Sequence, residues 1–301
     1  MATKADKSKL DLDSIVYATD FSVCSQNAGL YASELAHYFS AKLIVAHAFT
    51  LSQAAMEAEI DHTLISHQRR DLEFLLSKKA AELAGGRVPG TPALVEGDPG
   101  ELLPKLADLH APSMIVLGTH GGGWIERGII GSVAERILRS TPWPCVTVGP
   151  QVPPAPKMTF PFKRILYATD FSPAAAHAAT YAVSFAQAFG SSIDVLNVIQ
   201  GDAVSHPDRL SEITKRFYSA LDGLVPEQAK AFCEPRTFVD VGNAHHQILQ
   251  HIKEHSIDLL VLGISKTPHL FLEMRTSEVF PLILDAKCPV LTITARHASS
   301  I

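Results

Sequence analysis

Apolar and polar positions along the first half of the chain fall into two rhythms. Short runs that are apolar at nearly every position, SIVYAT, KLIVAHAF, TPALVEG, SMIVLGT and PCVTVG, alternate with longer stretches where apolar residues return every third or fourth position. The runs predict strands buried on both faces. The stretches predict amphipathic helices near Asn27–Phe39, Met56–Ala84, Glu101–His110 and Val133–Arg139. Alternation of this kind predicts an α/β fold with a parallel sheet covered by helices.

The whole pattern then repeats. IVYATDFS, Ile15 to Ser22, returns 150 residues later as ILYATDFS, Ile165 to Ser172. Tyr31, Ala32, Leu35 and Phe39 return at that offset as Tyr181, Ala182, Phe185 and Phe189, so both copies carry a helix with the same buried stripe. Farther on, MIVLG ending at Gly118 matches LLVLG ending at Gly263, and PCVTV from Pro144 matches PVLTI from Pro289. These later matches lie 145 residues apart, which places a five-residue shortening of the second copy between Phe49 and Gly97. Between the copies, GPQVPPAPKMTFPF carries five prolines from Pro150 to Pro161 and predicts an extended linker. The expected organisation is a first domain over 1–149, a linker over 150–161 and a second domain over 162–301. Each domain is expected to be a five-stranded, doubly wound parallel-sheet unit.

Composition narrows the field. With 301 residues and 47% hydrophobic content, the chain can bury two ordinary cores without covalent staples. The four cysteines, Cys24, Cys145, Cys233 and Cys288, show no C-x-x-C spacing and predict neither a disulfide framework nor a zinc ribbon. A formal charge of -5 gives no general pull toward nucleic acid. No apolar run reaches membrane-spanning length, and the polar start MATKADKSKLDLDS lacks the apolar core of a secretory signal. A cytoplasmic protein is expected.

Ligands of open α/β sheets bind beyond the carboxyl ends of strands, where the strand order reverses. Two features fall at such ends. Asp20 follows the first strand, and GTHGGGWIERGIIGS, with six of the chain's 18 glycines, follows the fourth. Gly131-Ser132 opens the next helix, and Ser132 with Glu135 forms the S-x-x-E pattern of a capping box. The first turn of a helix presents unpaired N–H groups and a positive dipole end, so glycines there can admit a phosphate. The residues read equally as a capped helix after a flexible loop, and Asp20 equally as the leader of a turn. Elsewhere, His251 and His255 stand four residues apart on a helix. Without an H-E-x-x-H pattern or a nearby thiolate they read as exposed helix histidines, and no metal ligand is assigned. Neither a G-x4-G-K-S/T phosphate loop nor a G-x-S-x-G elbow occurs.

The spacing Gly118-x2-Gly121-x9-Gly131-Ser132 resembles the G-2x-G-9x-G-S/T nucleotide signature of the universal stress protein family. The strand-end ATDFS, the VEGDP before the third helix and the P-x-V entering the last strand extend the resemblance over nearly the whole chain, twice. The resemblance implies a Rossmann-like fold of the adenine nucleotide alpha hydrolase type, with ATP bound in the first domain. It places adenine near the backbone of Ala48 and against Ala18 and Thr19, where many relatives have proline at the position of Ala18. Asp20 would hold the ribose or help place Mg²⁺ on the phosphates. Leu117, Gly118, Gly121, Gly131, Ser132 and Val133 would contact ribose and phosphates. The implied role is an ATP-binding regulator of stress responses with slow or no turnover. The alternatives are a weak Mg²⁺-dependent ATPase or phosphotransferase using Asp20, and an interaction protein that binds no nucleotide.

In the second copy Gly121 becomes Lys266 and Gly131 becomes Thr276, while Gly118 and Ser132 persist as Gly263 and Ser277. That copy is expected not to bind ATP in the family manner. Family members commonly pair through their last strands, which implies an internal pseudo-dimer through Val146–Val148 and Val290–Ile293. A homodimer of whole chains is a further implied possibility.

Overall fold

The computed structural model describes residues 10–49, 62–119, 130–154, 160–200, 207–264 and 276–294. They divide into two compact units, one within Leu12–Glu126 and Ile130–Val148, the other within Gly149–Ile301. Described parts of the proline-rich segment belong to the second unit, with Val152 and Phe162 buried.

The first unit runs β1 (Ser14–Ala18), α1 (Val23–Phe39), β2 (Lys42–Phe49), α2 (His62–Ala84), β3 (Gly90–Glu96), α3 (Pro99–Leu109), β4 (Ser113–Gly118), α4 (Ser132–Ser140) and β5 (Cys145–Val148). Its strands pair in the order β3-β2-β1-β4-β5, each pair parallel. The second unit runs β6 (Arg164–Ala168), α5 (Pro173–Phe189), β7 (Ser192–Ile199), α6 (Pro207–Asp222), α7 (Glu227–Lys230), β8 (Pro235–Val241), α8 (Ala244–Glu254), β9 (Leu259–Ile264), α9 (Thr276–Asp285) and β10 (Val290–Thr294). Its order, β8-β7-β6-β9-β10, is the same pattern, again in parallel pairs. Both units are Rossmann-like α/β layers, and in each the order reverses beside the first strand, between β1 and β4 or β6 and β9.

The sequence explains these elements locally. All five residues of β1 are buried, as expected for a strand covered on both faces. At the edge, β3 is half-exposed and tolerates Pro92, and β8 likewise begins on Pro235; an edge strand can spare the missing N–H donor. Helix α1 starts four residues before its expected position because Ser22 caps it, its Oγ accepting from the Ser25 N–H at 3.2 Å. Ser172 does the same for α5 through Ala175, at 3.1 Å. Both helices stop on a left-handed residue, Ser40 (φ 54°) and Gly190 (φ 65°). Tyr17 and Tyr167 lie wholly inside, and their phenols donate to the Ser25 and Ala175 carbonyls at 2.6 Å. Burial raises the pKa of both phenols, that of Tyr167 to about 12.

Candidate nucleotide site

At the reversal point of the first unit, the carboxyl ends of β1, β2 and β4 and the starts of α3 and α4 surround a cavity of about 720 Å³, including its open mouth. Nine of the ten residues expected at a nucleotide line it: Ala18, Thr19, Asp20, Ala48, Leu117, Gly118, Gly131, Ser132 and Val133. The tenth, Gly121, lies outside the described residues, as do Gly122, Gly123, Gly128 and His120. Ser25, His47, Pro99, Leu103, Thr119 and Ala134 also line the cavity and were not anticipated. Pro99 and Leu103 follow directly from VEGDP, so that motif could have found them. His47 carried no local signal.

The wall under β1 is a tight turn. Thr19 Oγ1 accepts from the Phe21 N–H at 3.0 Å, Asp20 Oδ1 accepts from the Ser22 N–H at 3.0 Å, and Phe21 takes φ 63° between them. The second unit builds the same turn from Thr169, Asp170, Phe171 (φ 62°) and Ser172, with bonds of 3.0 and 2.9 Å. The turn role left open for Asp20 is therefore present, and it occupies one carboxylate oxygen. Cys24 sits just beyond; burial first, and the Asp20 charge second, push its thiol pKa up.

Gly118, besides lining the cavity, has a packing role. A Cβ at this position would lie 3.0 Å from the Cys24 carbonyl carbon and oxygen and 3.1 Å from the Ser25 nitrogen. Backbone atoms yield less readily than a flexible side chain, so a Cβ here would be a tight fit where β4 passes under the start of α1. At Gly263 the Cβ would fall 2.3–2.4 Å from Ala174 and Ala175 backbone atoms, which makes the same demand on α5 more severely.

The start of α4 corrects the expected capping box. Gly131, not Ser132, is the cap (φ -62°, ψ 142°), and no side chain caps this helix. The Gly131 N–H donates to the Thr119 carbonyl at 2.7 Å, which ties the cap to the end of β4 and pushes Ser132 into the first helical position. Glu135 does not reach back; it pairs with Arg139 one turn ahead, at 2.9 Å. The helical ladder begins with the Glu135 N–H on the Gly131 carbonyl, so the N–H groups of Ser132, Val133 and Ala134 have no carbonyl within the helix. These three residues line the cavity. A helix start with spare donors and a positive dipole end favours an anion. Among the described lining residues there is no lysine or arginine; the side-chain charges are those of Asp20 and, when protonated, His47.

Across the cavity, His47 Nδ1 bonds the Thr19 carbonyl at 2.7 Å, and the ring packs on Phe21 with centroids 5.0 Å apart. On the rim, Asp98 caps α3 by accepting from the Glu101 N–H at 3.2 Å and pairs with Arg136 of α4. Both groups are substantially exposed, so this pair sets geometry more than stability.

Both halves of the chain, residues 12–149 and 161–294, match the model of the universal stress protein family. The chain belongs to that family, as a tandem two-domain member. A universal stress protein of Methanocaldococcus jannaschii is 31% identical over 138 residues, 44% of this chain and 80% of that protein. One from Synechocystis is 25% identical over 241 residues, 78% of this chain and 76% of the relative. Among solved structures, a universal stress protein from Archaeoglobus fulgidus superposes with a TM-score of 0.69 at 19% identity, covering 95% of this chain and 99% of that one. A Pseudomonas aeruginosa protein described as functionally unknown has a TM-score of 0.57 at 14% identity, covering 94% and 92%. At these identities the structures establish the shared fold.

The second unit of this tandem protein corrects the expectation for one histidine. His251 is buried, with Nε2 2.9 Å from Oδ2 of the buried Asp194. Arg236 grips the same carboxylate through Nε and Nη2 at 2.8 and 2.9 Å, and His255 stacks on His251 with centroids 4.1 Å apart. Burial alone would raise the Asp194 pKa; hydrogen bonds from His251 and Arg236 outweigh it and hold the carboxyl below its usual range. The ligand atoms of Asp194, His251 and His255 all lie within 4.8 Å of one another. The carboxylate already serves the Arg236 fork, whose cation would stand beside any divalent ion, so the set forms a closed ion-pair network.

Among the described residues, no helix is long and apolar enough to cross a membrane.

Proposed function

We propose that the first domain binds ATP in the cavity below α4 and that occupancy, rather than turnover, is the signal this protein delivers. One observation carries the reading: the first-turn N–H groups of Ser132, Val133 and Ala134, which have no carbonyl within the helix, belong to residues that line a cavity walled by the ends of β1, β2 and β4. In this reading α4 holds the phosphates through its backbone, and the ribose lies over β1 by the Asp20 carboxylate or a Mg²⁺ ion held there. The base reaches Ala18, Thr19 and Ala48. Slow or absent turnover is proposed because the sequence has no phosphate-loop lysine and no assigned base. The role is that of a cytoplasmic regulator whose partner preference changes with occupancy. Pairing of the last strands of the two copies, or of whole chains, belongs to the same proposal.

The test is nucleotide extraction from freshly purified protein followed by calorimetric titration with ATP. Co-purified adenine nucleotide and saturable binding at one site per chain support the reading. A protein that carries none and takes up none is an interaction module instead. Sustained ADP release that disappears in Asp20→Ala would replace the sensor by the weak ATPase.

A further inference from the structure

We propose that the cluster of Asp194, Arg236, His251 and His255 makes the second domain responsive to acid, protonation of His255 loosening the end of α8 from β7 and β8 while the first domain is unaffected.

The scaffold does not need these charges. The first domain has Ile44 paired across the strands with Thr91, as Asp194 is with Arg236, and Leu106 at the position of His251. The helix ends are tied down alike in both: Ser14 Oγ donates to the His110 carbonyl at 2.8 Å, and Arg164 Nη1 donates to the His255 carbonyl at 2.8 Å. Apolar residues of similar volume stabilise a fold as well as a buried ion pair does, or better, so a charged cluster in this place points to a switch.

Within the cluster one carboxylate faces three basic groups. Asp194 Oδ2 lies 2.9 Å from His251 Nε2, and because a carboxylate only accepts, that nitrogen carries the hydrogen. Arg236 holds the same carboxylate by its fork. His255 lies beside this network rather than in it. Its ring stacks on His251 with 24° between planes, and Phe238 packs against both rings at 4.6 and 5.1 Å. The charged groups around His255 are His251 and Glu254 on α8, Asp194 on β7, Arg236 on β8 and Arg164 on β6. Glu254 is engaged by Gln250 at 2.8 Å. A proton on His255 therefore places a cation against the His251 ring and near Arg236, which already share Asp194.

Burial first, and His251 second, hold the His255 pKa below its ordinary value. The ring is half-buried and can take a proton from water, whereas His251 is buried. The stabilisation that the neutral His255 gives is complete above the free value of about 6.5 and is lost as pH falls through the lower folded value. His255 also caps α8, followed by Ser256 at φ 51° and by the Ile257 N–H on the Ile252 carbonyl at 3.0 Å. A left-handed residue other than glycine persists only while its surroundings fix it, so the new charge acts on a helix end already under strain.

The experiment follows hydrogen exchange of the full chain by mass spectrometry at about pH 7.5 and about pH 5, corrected for the intrinsic pH dependence of exchange; the lower pH stays above the ordinary carboxylate range. In wild type, protection of α8 and β8 should fall at least about fivefold at the lower pH and return on neutralisation, while the matching α3 and β3 change by less than about twofold. His255→Phe, which keeps a stacking ring without a proton site, and His255→Gln should each hold the loss below about twofold. A proton NMR titration of wild type should give His255 a pKa below that of free histidine. Unchanged protection in wild type, an equal loss in both domains, or the full loss in a folded variant overturns the switch. If neither variant folds, the NMR titration decides: a pKa at or above the free value overturns the role of His255, and one below it, together with the wild-type loss, supports it.

Discussion

Gly118 and Gly263 occupy matching places in the two domains, and so do Gly131 and Thr276, yet the pairs have different histories. In the first pair a Cβ would strike the α5 backbone at Gly263 and press tightly on the α1 backbone at Gly118. The second pair differs because the start of α4 needs no glycine to fold: Gly131 sits at φ -62°, open to any residue. A signature counted as three glycines thus splits into one that packs a strand under a helix and one that leaves room at a cavity wall, with Gly121 outside the described residues. The same split runs through the rest of the site. The Thr-Asp-Phe-Ser turn is identical in both domains, whereas Asp98–Arg136 on the first rim has Asn243 and Pro281 in its place in the second. What recurs serves the fold in both domains, and some of it, Thr19, Asp20 and Gly118, also lines the candidate site.

The largest test of that division is Gly131→Thr, which imports the residue of the second domain. Threonine is a good helix cap, so the fold should persist while its side chain enters the cavity; ATP affinity should fall at least about a hundredfold in calorimetry. Retained affinity would end the claim that this glycine is kept for a ligand. Next in size are the packing glycines. Gly263→Ala should cost about 3 kcal/mol and Gly118→Ala about 1–2 kcal/mol in denaturant unfolding, the order following the closer approach at Gly263. Equal and negligible costs would remove the steric account of both.

A third test addresses a feature of the second domain alone. Asp194→Ala leaves His251 and Arg236 without their shared acceptor and should cost about 2 kcal/mol at neutral pH, moderated because Arg236 can reach water. Its pH dependence has a definite sign. The folded-state pKa of Asp194 is depressed, so its stabilisation is complete above the unfolded value of about 4 and is lost as pH falls through the lower folded value. Acid unfolding of the variant should therefore be less steep below about pH 4 than that of wild type. The smallest effect belongs to the paired turns: Asp20→Ala and Asp170→Ala should each cost about 0.5–1 kcal/mol, and only Asp20→Ala should also weaken ATP binding. If both variants bind ATP as wild type does, Asp20 is a turn residue only.

Much of the fold was legible because its signals are local. Strands β1, β2, β4 and β5 appear where continuous apolar runs stand, and α3 follows Asp98-Pro99, a cap and first-turn pair. The start of α1 at Val23 was missed because Ser22 caps it from within a motif that also reads as a turn. Ser132 was misread by one position, since S-x-x-E records only spacing; the bond from Gly131 to Thr119 decides where the helix begins. His251 resembled an exposed helix histidine because its partners Asp194 and Arg236 stand on β7 and β8, far away in the chain.

By itself the sequence determined the repeated α/β order, the family and nine of the residues that line the cavity, because periodicity, turn chemistry and glycine spacing are written within a few residues of one another. Only the tertiary structure decided which glycine serves packing, which residue caps α4, and that His47 meets the Thr19 carbonyl at the cavity wall. Those outcomes depend on distances between segments brought together by the sheet. A Cβ clash across 94 residues or an acceptor supplied by a neighbouring strand leaves no periodic trace in the chain that makes it.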